Sequence, residues 1–149
     1  MKRLLPLLAL LVLAVPASAS AATTYYVGKT EQGYRSSAKV VDGDLKWLKV
    51  TWRADCQDPG YRYGPVGTIW LDRPDGPIEQ SGRKFTDSGS REVRTTKGHK
   101  GVIEETLTGR LYAGGVIKAN HTVTARFFNS KGKQYDTCSG SFDVRLKKQ

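Results

Sequence analysis

From residue 45 to residue 56 the chain alternates with a period of two: Leu48, Val50, Trp52, Ala54 and Cys56 fall on one side, and Lys49, Thr51, Arg53 and Asp55 on the other. Successive side chains of an extended chain point to opposite faces, so this pattern is a β-strand with one core face and one wet face. β-branched and aromatic residues alternate with polar ones in the same way at 23–30, 34–41, 66–71, 101–112, 116–128 and 134–146. Gly, Pro, Asn and Asp punctuate the gaps, and no segment sustains the 3.6-residue period of an amphipathic helix. The fold expected is all-β: an antiparallel β-sandwich, immunoglobulin-like in architecture, of about seven to eight strands.

Asp42-Gly43-Asp44 between two such runs reads as a hairpin turn, because Asp and Gly tolerate positive φ. Asp58-Pro59-Gly60 and the stretch 73–77 read as further turns. From 81 to 101 only Phe85 and Val93 are large and apolar. That stretch is expected to be loops around one weak edge strand near Val93. The last three runs, joined at Ala113-Gly114-Gly115 and at 129–133, read as a meander, with Ile117, Ala119, Val123, Ala125 and Phe127 facing the core from its middle strand.

Met1-Lys2-Arg3, an apolar run at 4–15 and small residues at Ala17-Ser18-Ala19 have the form of a secretory signal peptide. Residues 1–22 are therefore expected to be removed, leaving 23–149 as one secreted domain in the extracellular or cell-envelope space. The apolar run is shorter than the roughly 18 to 20 residues needed to cross a bilayer, so no membrane span is expected after cleavage. Loss of Lys2 and Arg3 from the 24 basic residues leaves 22 against 14 acidic ones, a net charge of +8 that favours anionic partners.

Two cysteines, Cys56 and Cys138, remain in an exported chain, where pairing is the expected state. Coming from distant strands, they are expected to staple the two sheets of the sandwich, with Cα atoms about 4.4 to 6.8 Å apart.

Gly28-Lys29-Thr30 with Gln32-Gly33, Val50-Thr51-Trp52 leading to Cys56, Gly82 with Phe85, Gly109, Ala113-Gly114-Gly115, and Cys138 with Gly140 span almost the whole expected mature chain. On these residues the chain resembles a group of small exported single-disulfide all-β proteins of actinobacterial type with no assigned activity. The resemblance implies a single-disulfide β-sandwich and carries over no catalytic residue. The chain departs from that group in its many basic residues between Arg83 and Lys100.

Nucleophilic hydrolysis needs a base, usually His, oriented by a third group. His99 lies in a basic loop and His121 mid-strand on the inward side, with no motif around either. Glu104 and Glu105 are adjacent, so they point to opposite faces and cannot act as a pair; whichever faces inward needs a partner such as Arg110 or Arg126. Two His and two Cys match no zinc spacing, and Asp42-Gly43-Asp44 lacks the further acids of a calcium loop. No catalytic residue, metal site or cofactor is assigned, and no enzymatic activity is expected. Asn120-His121-Thr122 matches the glycosylation pattern but falls inside a strand.

Two surface features remain. Tyr61 and Tyr63, with Trp70, are a candidate aromatic surface on which sugar rings would stack. Arg83, Lys84, Arg91, Arg94, Lys97 and Lys100 against Asp87 and Glu92 form a candidate basic patch of net charge +4. The expected role is a non-catalytic extracellular binding or adhesion module for an anionic envelope polymer or a carbohydrate, the alternatives being a structural or solubility role without a ligand and, ranked last, an enzyme or enzyme inhibitor. Sequence-specific nucleic-acid reading is not expected, because Phe85 is the one aromatic in the basic stretch. Replacing Arg91, Arg94 and Lys97 together is expected to abolish polymer binding and leave the melting temperature unchanged.

Overall fold

The computed structural model describes residues 21–72, 78–95 and 98–149. Most of the expected signal peptide, the expected turn at 73–77 and Lys97 lie outside the described residues. Within them there is no helix, and the chain forms β1 (Thr23–Thr30), β2 (Arg35–Val41), β3 (Asp44–Cys56), β4 (Arg62–Leu71), β5 (Glu79–Ser81), β6 (Lys84–Arg94), β7 (Lys100–Tyr112), β8 (Val116–Phe128) and β9 (Gln134–Lys148).

The protein is thus all-β, and all nine strands belong to one antiparallel sheet in the order β4-β3-β2-β1-β9-β8-β7-β6-β5. An additional pairing of β3 with β9 closes β1, β2, β3 and β9 into a four-stranded ring. Local chemistry sets the hairpins. Asp42 at φ 52° and Gly43 at φ 91° form a two-residue turn between the paired Val41 and Asp44, the mirror-image turn that matches strand twist.

The alternation in β3 is realised as expected, with Leu48, Val50, Trp52 and Ala54 fully buried. They meet the inward residues of β7, β8 and β9, including Ile103, Leu107, Ile117, Val123, Phe142 and Leu146, in one continuous core. Trp52 lies at its centre, its ring centroid 5.8 Å from Tyr63, 6.0 Å from His121 and 6.1 Å from Phe142. Where chains cross closely only glycine fits: a Cβ on Gly28 would stand 1.9 Å from the carbonyl oxygen of Arg145, and one on Gly109 would stand 2.2 Å from the Phe85 ring.

Two expectations change. Cys56 and Cys138 are bridged, but they are direct partners on neighbouring strands rather than a staple between sheets. The Gln57 N–H donates to the Thr137 carbonyl at 2.9 Å, which makes the cysteines a non-hydrogen-bonded pair, the closer of the two antiparallel geometries. Their Cα atoms are 3.8 Å apart, below the range expected.

Secondly, the stretch expected to be loops around one weak edge strand near Val93 holds the eleven-residue strand β6, hydrogen-bonded along its whole length to β7. Its inward row is Phe85, Asp87, Gly89, Arg91 and Val93, too polar for sequence alternation to reveal. With β5, this strand brings the number among the described residues to nine.

Candidate functional site

The described members of the expected basic patch, Arg83, Lys84, Arg91, Arg94 and Lys100, are dispersed. Alternation along β6 sends Lys84 and Arg94 to the outer face and Arg91 inward, and ten residues of extended chain separate the first two by about 33 Å. Arg83 lies in the exposed turn before β6, and Lys100 pairs with Glu92.

Register assembles a different basic feature. Arg35 of β2 is the direct partner of Lys29 of β1, Lys29 of Arg145 on β9, Arg145 of Lys118 on β8, Lys118 of Arg110 on β7, and Arg110 of Lys84 on β6. Directly opposed residues project from the same face, so six cations form one row across six adjacent strands. All six are exposed. Among the described residues none has a carboxylate oxygen within 4.0 Å.

The middle of the row lines an open groove of about 610 Å³, with Lys29, Arg110, Lys118 and Arg145 around Tyr112. The Arg110 guanidinium stands 5.6 Å, and the Lys118 ammonium 5.4 Å, from the centre of the Tyr112 ring, whose negative face holds both cations in place. Glu31 and Asp143 also border the groove, and Asp143 accepts a hydrogen bond from Asn120 at 3.0 Å.

A second polar constellation lies inside. Glu105 points into the core, where its side chain is 4% exposed. Its partners are neither Arg110 nor Arg126: Thr68 of β4 donates its hydroxyl to Glu105 Oε1, and Arg91 Nε donates to Oε2 at 3.4 Å. Trp52 Nε1–H in turn donates to Thr68 Oγ1 at 2.9 Å. Glu104 faces out and takes Arg126 in two hydrogen bonds of 2.8 and 2.9 Å, which hold its carboxyl below the usual range.

His121 is fully buried, its Nε2 3.7 Å from Glu105 Oε1, beyond hydrogen-bond reach. Burial first, and the Arg91 charge second, push its pKa down to about 4, so the ring is neutral near pH 7. A base that weak is mismatched to proton transfer at neutral pH. Thr68 gives its proton to Glu105 rather than to the imidazole, so no hydroxyl is activated by a histidine here. The hydrogen-bonded groups Trp52, Thr68, Glu105 and Arg91 serve as a buried polar link between β3, β4, β7 and β6.

The three aromatic candidates are not brought to one surface. Trp70 is buried, 5.7 Å edge-on to His121. Tyr63 is half-buried between Trp52 and Phe127, at 5.8 and 5.1 Å. Only Tyr61 is exposed. His99 packs against Tyr135, with centroids 5.5 Å apart.

The cation row escaped sequence reading because each member sits alone on its strand; only alternation followed by a correct register aligns them. No protein-family model matches the chain, and the search of curated proteins and that of solved structures returned no match.

Proposed function

We propose that the protein is a non-catalytic, secreted binding module for a linear phosphate- or sulfate-bearing polymer, which lies across the strands over the six-cation row. The single observation that carries this reading is the row itself. Like charges directly opposite one another destabilise a sheet, and here five successive cross-strand pairs are cation on cation.

Strands are spaced about 4.8 Å apart, so the row offers a positive charge at each step over roughly 24 Å. A linear polyanion running perpendicular to the strands meets one charge per strand and relieves the repulsion that the free protein carries. The net charge of +8 expected of the mature chain attracts such a polymer from a distance. The sandwich-like layering expected from the sequence is compatible with this role, because the row occupies the outer face and leaves the core untouched. Stacking of neutral sugars is the weaker reading, since Tyr63 and Trp70 are taken up by the core.

The test is fluorescence anisotropy with labelled polyphosphate, dextran sulfate and neutral dextran, at 0.1 M and 1 M salt. The charged polymers are expected to bind at low salt and to be released as the Debye length falls from about 10 to 3 Å, while neutral dextran does not bind. Replacing Arg110, Lys118 and Arg145 with Ser should weaken binding at least tenfold. The charge-matched replacement of Arg94, Lys131 and Lys133 should change it less than threefold. Equal loss in the two triple variants removes the row from the account and leaves only net charge.

A further inference from the structure

Among the described residues the sheet has two free edges, and they face each other. β4 is the terminal strand on one side, and β5 covers β6 only from Lys84 to Thr86 on the other. Beyond Thr86 the outer edge of β6 has no partner among the described residues. Counted through five antiparallel pairings, β4 and β6 run in opposite directions, yet they are not hydrogen-bonded to each other. With few exceptions their Cα atoms stand more than 8 Å apart.

Ladder parity shows which backbone groups face the gap. The Asp72 N–H bonds to the Lys46 carbonyl, so Thr68 and Trp70 direct their amides at β3, whereas Gly67, Ile69 and Leu71 direct theirs away. The Leu111 N–H bonds to the Arg83 carbonyl, so Ser90 and Glu92 turn their amides away from β7.

Under the gap, Thr68 and Arg91 both reach Glu105, and the Trp70 ring lies 3.8 Å from where a Cβ on Gly89 would stand. The result is an open groove of about 600 Å³ bordered by residues 67–71 and 87–91.

Natural edge strands are blunted by charge, proline or cover. Arg62 and Pro65 blunt the start of β4 in this way, but the rest of the edge is unprotected: residues 66–71 read Val-Gly-Thr-Ile-Trp-Leu, and Ile69 is 56% exposed. Two buried donors beside the gap, Trp70 Nε1 and Arg91 Nη2, have no acceptor among the described residues. Backbone edges on both sides, small residues at the rim and unpartnered donors in the floor are what an added strand requires.

We infer that the seam between β4 and β6 takes up an extended peptide of about five residues bearing an acidic side chain, which completes a second ring through β3, β4, the peptide, β6, β7, β8 and β9. Being parallel to one edge and antiparallel to the other, the peptide supplies carbonyls to the free amides of both. Its acidic side chain accepts from Arg91, in keeping with the basic charge of the whole protein. This inference is independent of the polyanion row, which lies on the outer face away from the seam.

The test is amide hydrogen exchange by NMR at Gly67, Ile69, Leu71, Ser90 and Glu92, with acetylated, amidated Thr-Val-X-Val-Thr peptides in which X is Asp, Ser or Lys. Without peptide these amides should exchange rapidly. The Asp peptide should slow them at least tenfold at saturation, and the Lys peptide should bind at least tenfold more weakly. Ile69→Pro and Ser90→Pro each remove an outward N–H without touching the native ladder, and should abolish binding at an unchanged melting temperature. An Asp peptide N-methylated at alternate amides serves as a second probe that leaves the protein intact, and it should not bind. Amides already protected in the free protein, no slowing by any of the three peptides, or full binding of the methylated peptide would each overturn the inference.

Discussion

Lys118 on β8 and Arg145 on β9 are direct cross-strand partners, two exposed cations side by side where a sheet ordinarily sets opposite charges or neutral pairs. Arg110 repeats the relationship on the other side of Lys118, so Lys118 stands between two cations.

Reversing the charge at Lys118 turns two repulsive pairs into attractive ones. Lys118→Glu should therefore stabilise the fold by about 0.5 kcal/mol, raising the melting temperature by a couple of degrees while weakening polyphosphate binding. A lower melting temperature would show that the row carries no strain in the free protein.

Arg91 and Arg94 are three residues apart on β6, yet only Arg91 faces Glu105. Removing it leaves a carboxylate in the core with Thr68 as its remaining hydrogen-bond partner. Because the Arg91 side chain is 39% exposed, the cost lies below that of a fully buried pair, at about 2 kcal/mol. Chemical denaturation should show that loss for Arg91→Ala and less than ~0.5 kcal/mol for Arg94→Ala. Arg91→Met combined with Glu105→Leu should recover most of it, since no charge is then left buried. The expectation that replacing Arg91, Arg94 and Lys97 would leave the melting temperature unchanged is corrected accordingly.

His121 faces two charged groups, Glu105 and Arg91, with Trp52, Trp70 and Phe142 packed around the rest of the ring. Its pKa is about 4 in the folded protein against 6.5 for an ordinary histidine. Between those values the unfolded chain binds a proton that the folded one does not, so stability falls as pH drops from 6.5 towards 4. The loss is on the order of 3 kcal/mol and is absent above pH 7. Denaturation midpoints measured from pH 4 to 8 should show this slope in the native protein, and His121→Leu should flatten it.

Trp52 touches Tyr63, His121 and Phe142 and ties the core to Thr68 through its indole N–H. Trp52→Ala should cost about 3 to 5 kcal/mol, a large part of a domain's stability. Trp52→Phe keeps the ring contacts and loses the hydrogen bond, so it should cost roughly a third of that. Equal melting temperatures for Trp52→Ala and the native protein would contradict the central placement of this ring.

Local chemistry was legible in the sequence. The strand read at 23–30 is β1 with the same ends, that at 116–128 is β8, and the inward faces of β3, β8 and β9 follow from a two-residue period. The period is a property of the chain itself, since consecutive side chains of an extended backbone must point to opposite faces. The pairing of Cys56 with Cys138 followed equally directly from there being two cysteines in a chain read as exported.

What tertiary structure decided was register. β6 is a strand because β7 offers it eleven partners, although its own inward row is too polar to announce one. Glu105 found Thr68 and Arg91, 37 and 14 positions away, rather than the nearer Arg110. Trp70 went inside because β4 turns Thr68 and Trp70 towards the core and leaves Ile69 at the surface. Arg35, Lys29, Arg145, Lys118, Arg110 and Lys84 became one row through five separate hydrogen-bonded alignments. Alternation says which side of a strand a residue faces, but its neighbour across the ladder is set by backbone hydrogen bonds between distant segments. A shift of one residue in any of those ladders would turn that strand's side chains to the opposite face and scatter the cations.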